Sequence, residues 1–114
     1  MALIETTTAA IGRVQIARYA GAVGDFNPIH VDEEFAKASG MPSVIAHGPL
    51  TAALIIDTLV AQVGAEALES ADVRFRTPVF PGDTLMVTPT EGGAEVVKAD
   101  GTVAATLTLK MRDI

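Results

Sequence analysis

Gly48-Pro-Leu-Thr-Ala-Ala-Leu-Ile-Ile-Asp-Thr-Leu-Val-Ala-Gln-Val63 is the stretch that decides the fold. Proline suits the first helical position, where a missing N–H costs nothing, and it pushes the preceding residue to the extended dihedrals of an N-cap. The spacing therefore predicts a helix from Pro49 to Val63, capped by Gly48 and stopped near Gly64. Its apolar residues, from Leu50 through Ile55 and Leu59 to Val63, cover almost every face, as in a helix buried on nearly all sides. The run also holds Thr51, Asp57, Thr58 and Gln62 and is shorter than the ~20 residues of a membrane span, so a buried helix is expected.

Downstream, the hydrophobic period changes from about four to two. After Ala71, Val73, Phe75 and Thr77 alternate with Arg74 and Arg76. A Pro81-Gly82-Asp83 turn leads to a strand over Thr84–Thr88, and Glu91-Gly92-Gly93 turns into Ala94–Lys98. Asp100-Gly101 is a two-residue hairpin signal. In the last strand Val103, Ala105, Leu107, Leu109 and Met111 face one way, and Thr102, Thr106, Thr108, Lys110 and Arg112 the other. A helical first half and a stranded second half read as α+β. The expected architecture is an antiparallel sheet wrapped around a long buried central helix, a hot-dog arrangement, in one domain over residues 1–114.

Upstream, Leu3–Thr8 is read as a short strand. Arg13–Ala22 reads as a helix with Val14, Ala17 and Ala20 or Gly21 on one side, ended by Gly24. Gly24-Asp25-Phe26-Asn27-Pro28 is a loop. Asp32 is placed to cap a helix over Glu33–Ser39, with Gly40 as its terminating glycine.

Composition narrows the function. Without cysteine there is no disulfide, thiolate metal site or Cys nucleophile. A net charge of −6 offers no basic stripe for nucleic acid, although a few local cations suffice for coenzyme A. No basic segment precedes an apolar one as in a secretory signal, and a cytoplasmic location is expected. Aromatics make up only 4%, so the core falls to Ala, Val, Leu and Ile, and an oligomer with an apolar contact face is expected of so small a domain.

Both histidines sit among special residues. Asp25 and His30, five apart across a turn, can converge on one small volume, where such a pair can orient a water and move its protons. Asp25 can equally form an Asx-turn, and His30 can cap or pack. The second cluster is Ala46-His47-Gly48-Pro49. A helix N-terminus carries free N–H groups and partial positive charge, so the Gly48 amide is a candidate donor to an oxygen that becomes negative during reaction. Among these apolar neighbours His47 reads as a packed structural histidine or as a substrate contact.

Tyr19-Ala-Gly-Ala-Val-Gly-Asp25-Phe-Asn-Pro-Ile-His30-Val-Asp32, then Phe35-Ala36 and Ala46-His47-Gly48, resembles the MaoC-like, or (R)-specific enoyl-CoA hydratase 2, family. Arg76-Thr-Pro-Val-Phe-Pro-Gly-Asp-Thr-Leu85 is similar to the strand and turn that follow the central helix there. The resemblance implies a hot-dog dimer that adds water to a trans-2-enoyl thioester, giving a 3-hydroxyacyl thioester, or runs the reverse dehydration. It implies Asp25 and His30 as the catalytic pair, Asn27 orienting the loop or His30, and the Gly48 amide polarising the carbonyl. His47 and Thr51 are the further substrate-side candidates, Thr51 standing in for a serine that some members carry on the central helix. No metal or other cofactor is implied beyond coenzyme A or acyl carrier protein as the substrate's carrier. An N-terminal strand of larger members is expected to be reduced or missing here. The short chain and the terminal run Ala105–Asp113 resemble subunits of heteromeric steroid side-chain hydratases, and the loop is shared with mycobacterial fatty-acid dehydratase subunits, so the expected partner is a second copy or a second hot-dog subunit.

Two rival readings stand. Asp57 on the central helix fits a hot-dog thioesterase but leaves the Asp25–His30 spacing unexplained. A non-catalytic acyl-binding subunit would have no physical need for Asp25, Asn27 and His30. Arg74, Arg76, Lys98, Lys110 and Arg112 are expected to be solvated.

Overall fold

A computed structural model of the chain describes residues 3–112, so Asp113 lies outside the described residues. The chain opens with a two-residue strand at Thr6–Thr7 (β1) and three helices, Arg13–Val23 (α1), Pro28–Val31 (α2) and Glu33–Ala38 (α3). The long helix Gly48–Val63 (α4) follows, and a short 3-10 turn over Ala65–Ala67 leads into four strands. These are Leu68–Phe75 (β2), Met86–Thr90 (β3), Gly93–Val97 (β4) and Val103–Met111 (β5). All five strands join one antiparallel sheet in the order β1-β3-β4-β5-β2.

The core lies between the sheet and α4. Leu50, Ile55 and Leu59 of the helix pack with Val87, Ala94, Val96, Ala105 and Leu107 of the strands, and Ile11 and Ile16 close one end. Period-two alternation explains the sheet's contribution: Ala94 and Val96 are buried while Glu95 between them is exposed. Small residues let the sheet approach closely. At Gly93 a Cβ would lie 1.8 Å from the Leu107 carbonyl oxygen, so no larger residue fits opposite β5.

Several boundaries and faces differ from expectation for identifiable reasons. The first strand shrinks to the two residues that pair with Val87 and Met86 of β3. In α1 the packed residues are Ile16 and Ala20, while Val14 is 64% exposed, because the helix is rotated to seal the end of the core beside Ile11. Pro49 occupies the second helical position of α4; His47 is the N-cap at φ −63° and ψ 143°, one residue earlier than the proline alone suggested. α4 is buried along one face only, because the sheet covers one side and leaves Pro49, Ala53, Asp57 and Ala61 exposed as a stripe at four-residue spacing. The last hairpin has a three-residue loop. Gly101 N–H donates to the Lys98 carbonyl, Lys98 N–H to that of Thr102, and only Gly101 has positive φ, so Asp100 cannot belong to a type I′ turn.

Candidate active site

The loop between α1 and α3 is built from its own side chains. Gly24 closes α1 at φ 74°, and the Asp25 N–H reaches back to the Ala20 carbonyl at 3.1 Å. Asp25 Oδ1 accepts from the Asn27 N–H at 3.3 Å, Asn27 Oδ1 accepts from the Ile29 N–H at 3.1 Å, and Asp32 Oδ1 caps α3. Asn27 therefore caps α2, and its hydrogen bonds are to main-chain groups and Asp25 rather than to the His30 ring. The Asx-turn reading of Asp25 and its placement beside His30 hold together: one carboxylate oxygen makes the turn, and Oδ2 lies 3.9 Å from His30 Nε2.

His30 is anchored from across the chain. Its Nδ1 lies 2.8 Å from the carbonyl oxygen of Ile45, whose N–H donates to the Ile29 carbonyl. A carbonyl only accepts, so Nδ1 carries hydrogen, and Nε2 is the ring atom turned towards Asp25 Oδ2. The side chain of His30 is largely buried and that of Asp25 is half exposed. Farther along the loop, the Glu33 carboxyl is pushed up by desolvation. Hydrogen bonding and charge from Arg13, with bonds from Ser43 and the Val44 backbone, outweigh this and hold it below its ordinary range.

The segment 45–48 joins this loop to α4. His47 is buried and stacks on His30 with ring centroids 3.8 Å apart and 20° between planes, while Tyr19 of α1 packs against it at 4.9 Å. Its Nε2 lies 3.1 Å from the Asp25 carbonyl oxygen. The His47 carbonyl accepts from both the N–H and the hydroxyl of Thr51. Gly48 lies in the first turn of α4, where its N–H has no intrahelical acceptor, and Pro49 has no N–H at all. The Gly48 amide is thus a free donor at the helix tip with the helix dipole behind it.

Gly48 and Thr51 line an open cavity of about 280 Å³ with Ile45, Ala46, Phe75, Arg76, Thr77, Pro78 and Val79. Asp25, Asn27, His30 and His47 are not among its lining residues; the segment 45–48 faces the cavity with Gly48 and supports the pair with Ile45 and His47. Phe75 is 50% exposed and would lie 3.3 Å from a Cβ at Gly48, so a side chain there would crowd the tip of α4. No pattern singled out Phe75 or the Ile45 carbonyl as site components, since one reads as an ordinary strand residue and the other acts through its main chain. Asp57 lies on the exposed face of α4 and does not line the cavity.

Asp25, His30 and His47 each offer a ligand atom within 4.8 Å of the other two. Imidazole lone pairs lie in the ring plane, however, and two nearly parallel rings aim them side by side rather than at one ion. Each ring also spends one nitrogen on a main-chain carbonyl. The cluster is built as a stack and suits a metal poorly.

Lys98 departs from the surface role expected of it. It is 7% exposed, bonded to Asp83 Oδ2 at 3.0 Å and to the Pro78 carbonyl, over the Phe80 ring. Arg74, Arg76, Lys110 and Arg112 are exposed as expected.

Comparison with known proteins gives this arrangement its relatives. The chain is 39% identical over 87 residues to 3-hydroxyacyl-thioester dehydratase X of Mycobacterium tuberculosis, a match covering 76% of this chain and 28% of that protein. It is 42% identical over 66 residues to the peroxisomal enoyl-CoA hydratase 2 of Arabidopsis thaliana, covering 55% of this chain and 21% of that one. The chain thus spans less than a third of these curated relatives. Among solved structures, the (R)-hydratase from A. caviae involved in PHA biosynthesis superposes with a TM-score of 0.75 at 26% identity, over 92% of this chain and 90% of that one. The R-hydratase of Pseudomonas aeruginosa gives 0.76 at 27%, over 94% and 76%. These neighbours share the hot-dog fold. The family model for the MaoC like domain matches residues 3–111, and the chain belongs to that family.

Proposed function

We propose that this chain hydrates trans-2-enoyl thioesters to (R)-3-hydroxyacyl thioesters, or catalyses the reverse dehydration, with Asp25 and His30 acting on the water. The carrying observation is that Asp25 Oδ2 and His30 Nε2 face one another across 3.9 Å, so that His30 in its neutral form offers a second acceptor beside the carboxylate. That gap is too long for a direct bond. Two hydrogen bonds of about 2.8 Å to one water oxygen span it with an angle near about 90°, so a single water can donate to both. Its oxygen lone pair is then free for the β-carbon of a bound thioester.

In the forward direction Asp25 takes a proton as the water oxygen bonds to the β-carbon. Electrons shift from the double bond onto the thioester oxygen, where the Gly48 N–H and the tip of α4 oppose the developing charge. The pair then returns one proton to the α-carbon, the carbonyl reforms, and both residues end as they began. Asn27 holds the loop through its cap of α2, and Thr51 fixes the backbone of His47. The similarity to (R)-hydratases and to a 3-hydroxyacyl-thioester dehydratase supports the substrate class. The exposed position of Asp57 removes support from a thioesterase centred on it.

A second hot-dog subunit, a copy of this chain or a relative, is the proposed partner. It would cover the half-exposed Phe75, the cavity mouth and the bare stripe of α4. A cytoplasmic setting is part of the proposal; no helix among the described residues is long and apolar enough to cross a membrane.

The test is hydration of trans-2-enoyl-CoA thioesters of short, long and ring-bearing acyl groups, followed at the loss of the conjugated double bond. Asp25→Asn and His30→Ala are each expected to lower turnover by about a hundredfold or more with the fold retained. Wild-type rates in both variants, or release of free CoA in place of hydration, would sink the assignment.

A further inference from the structure

The hydration scheme leaves one buried group without a task. His47 Nδ1 is enclosed and has no hydrogen-bond partner among the described residues. A buried acceptor left unpaired costs stability, and an apolar ring of similar size would fill the same space without that cost. The other side of the ring is fully used. Nε2 faces the carbonyl oxygen of Asp25 at 3.1 Å, and because that oxygen only accepts, Nε2 carries the hydrogen. The ring face lies on that of His30 at 3.8 Å. One side chain thus grips the main chain of one member of the pair and the ring plane of the other. Its own backbone is pinned in turn by the two bonds from Thr51 at the head of α4.

We propose that His47 is a positioning residue for the Asp25–His30 pair, acting on Asp25 through its Nε2–H and on His30 through the stack; this rests on the hydration reading of that pair. The tautomer is integral to it. Hydrogen on Nδ1 instead would set the Nε2 lone pair against the Asp25 carbonyl and bury an N–H without an acceptor. The Nε2–H form holds Asp25 in its turn and leaves the orphaned atom as the lesser penalty. Because the same segment carries the Gly48 amide, the ring also sets the pair in register with the helix tip.

Two measurements test this independently. With only two histidines in the chain, nitrogen-15 spectra of the wild type at mildly alkaline pH read each tautomer directly. The expected result is Nε2–H at His47 and Nδ1–H at His30, with cross-relaxation between the rings. Nδ1–H at His47, or rings without mutual contact, overturns the proposal whether or not the protein hydrates anything. A wild type that shows these signals and no hydration overturns the hydration reading alone.

The kinetic arm uses two variants that divide the role. His47→Gln keeps an N–H donor and loses the ring; His47→Phe keeps a ring and loses the donor. Each is expected to lower kcat by about tenfold with KM within about threefold of wild type, and to add less than about twofold in an Asp25→Asn background. The phenylalanine variant, relieved of the orphaned acceptor, should melt no lower than wild type while turning over more slowly. Unchanged kcat in both single variants, or losses that multiply in the double variants, would overturn the assignment.

Discussion

Lys98 Nζ is held between the Asp83 carboxylate and the Pro78 carbonyl at the foot of the cavity wall, and Asp83 also accepts from the Phe80 N–H at 2.8 Å. Removing the cation leaves two oxygens that were paired in a place water reaches poorly. Lys98→Met, which keeps most of the stem, is therefore expected to destabilise the fold by about 1–3 kcal/mol in urea denaturation; a loss below about 0.5 kcal/mol would show the pair to be no better than a solvated one. The buried pair was not legible in the pattern, because a strand-end lysine before a turn has the composition of surface. That Asp25 and His30 could meet across a turn was legible in their spacing, and they lie 3.9 Å apart. Their types left a turn-forming Asp25 and a packed His30 equally open, and the catalytic roles came from the family resemblance. The bonds that set them were not legible. His30 answers to a carbonyl fifteen residues away and His47 to one twenty-two residues away, and a main-chain acceptor has no residue type to betray it.

The four strands after the long helix were legible as elements, because apolar residues every second position can bury only one side of an extended chain. Their limits and turns were less so. Gly92 and Gly93 read alike as turn glycines, yet only Gly92 has the left-handed φ, 77°, while Gly93 is in β4 and admits the Leu107 carbonyl. The two should respond differently to alanine. Gly92→Ala is expected to cost about 1 kcal/mol through backbone strain. Gly93→Ala meets an immovable main-chain oxygen and should cost about 3 kcal/mol or more. Thermal denaturation of both checks the ranking, and equal losses would mean that β4 and β5 can part without penalty. The start of β2 was missed for a related reason: Glu69 and Ser70 break the alternation beside an irregular register at Leu68–Ser70, so ladder bonds rather than patterning begin that strand.

At the scale of the whole molecule, α4 is more apolar than one sheet face requires. β2 is an edge strand with no fully buried residue, and the stripe from Pro49 to Ala61 is bare. An uncovered edge and a bare helix face of mostly small residues invite a second chain. Sedimentation velocity at micromolar concentration is expected to show a species of two chains, alone or with a hot-dog partner; a monomer that is fully active by itself would remove the need for one. By itself, the sequence determined the architecture, an apolar helix followed by alternating strands, and it determined the chemical types gathered at the loop and the helix tip. Periodicity and residue chemistry are local properties, carried in order along the chain. The tertiary structure alone decided which face of α4 the sheet covers, which main-chain carbonyl each histidine ring faces, and why Lys98 is buried. Those outcomes depend on carbonyls, rings and strand registers that meet only when distant segments pack.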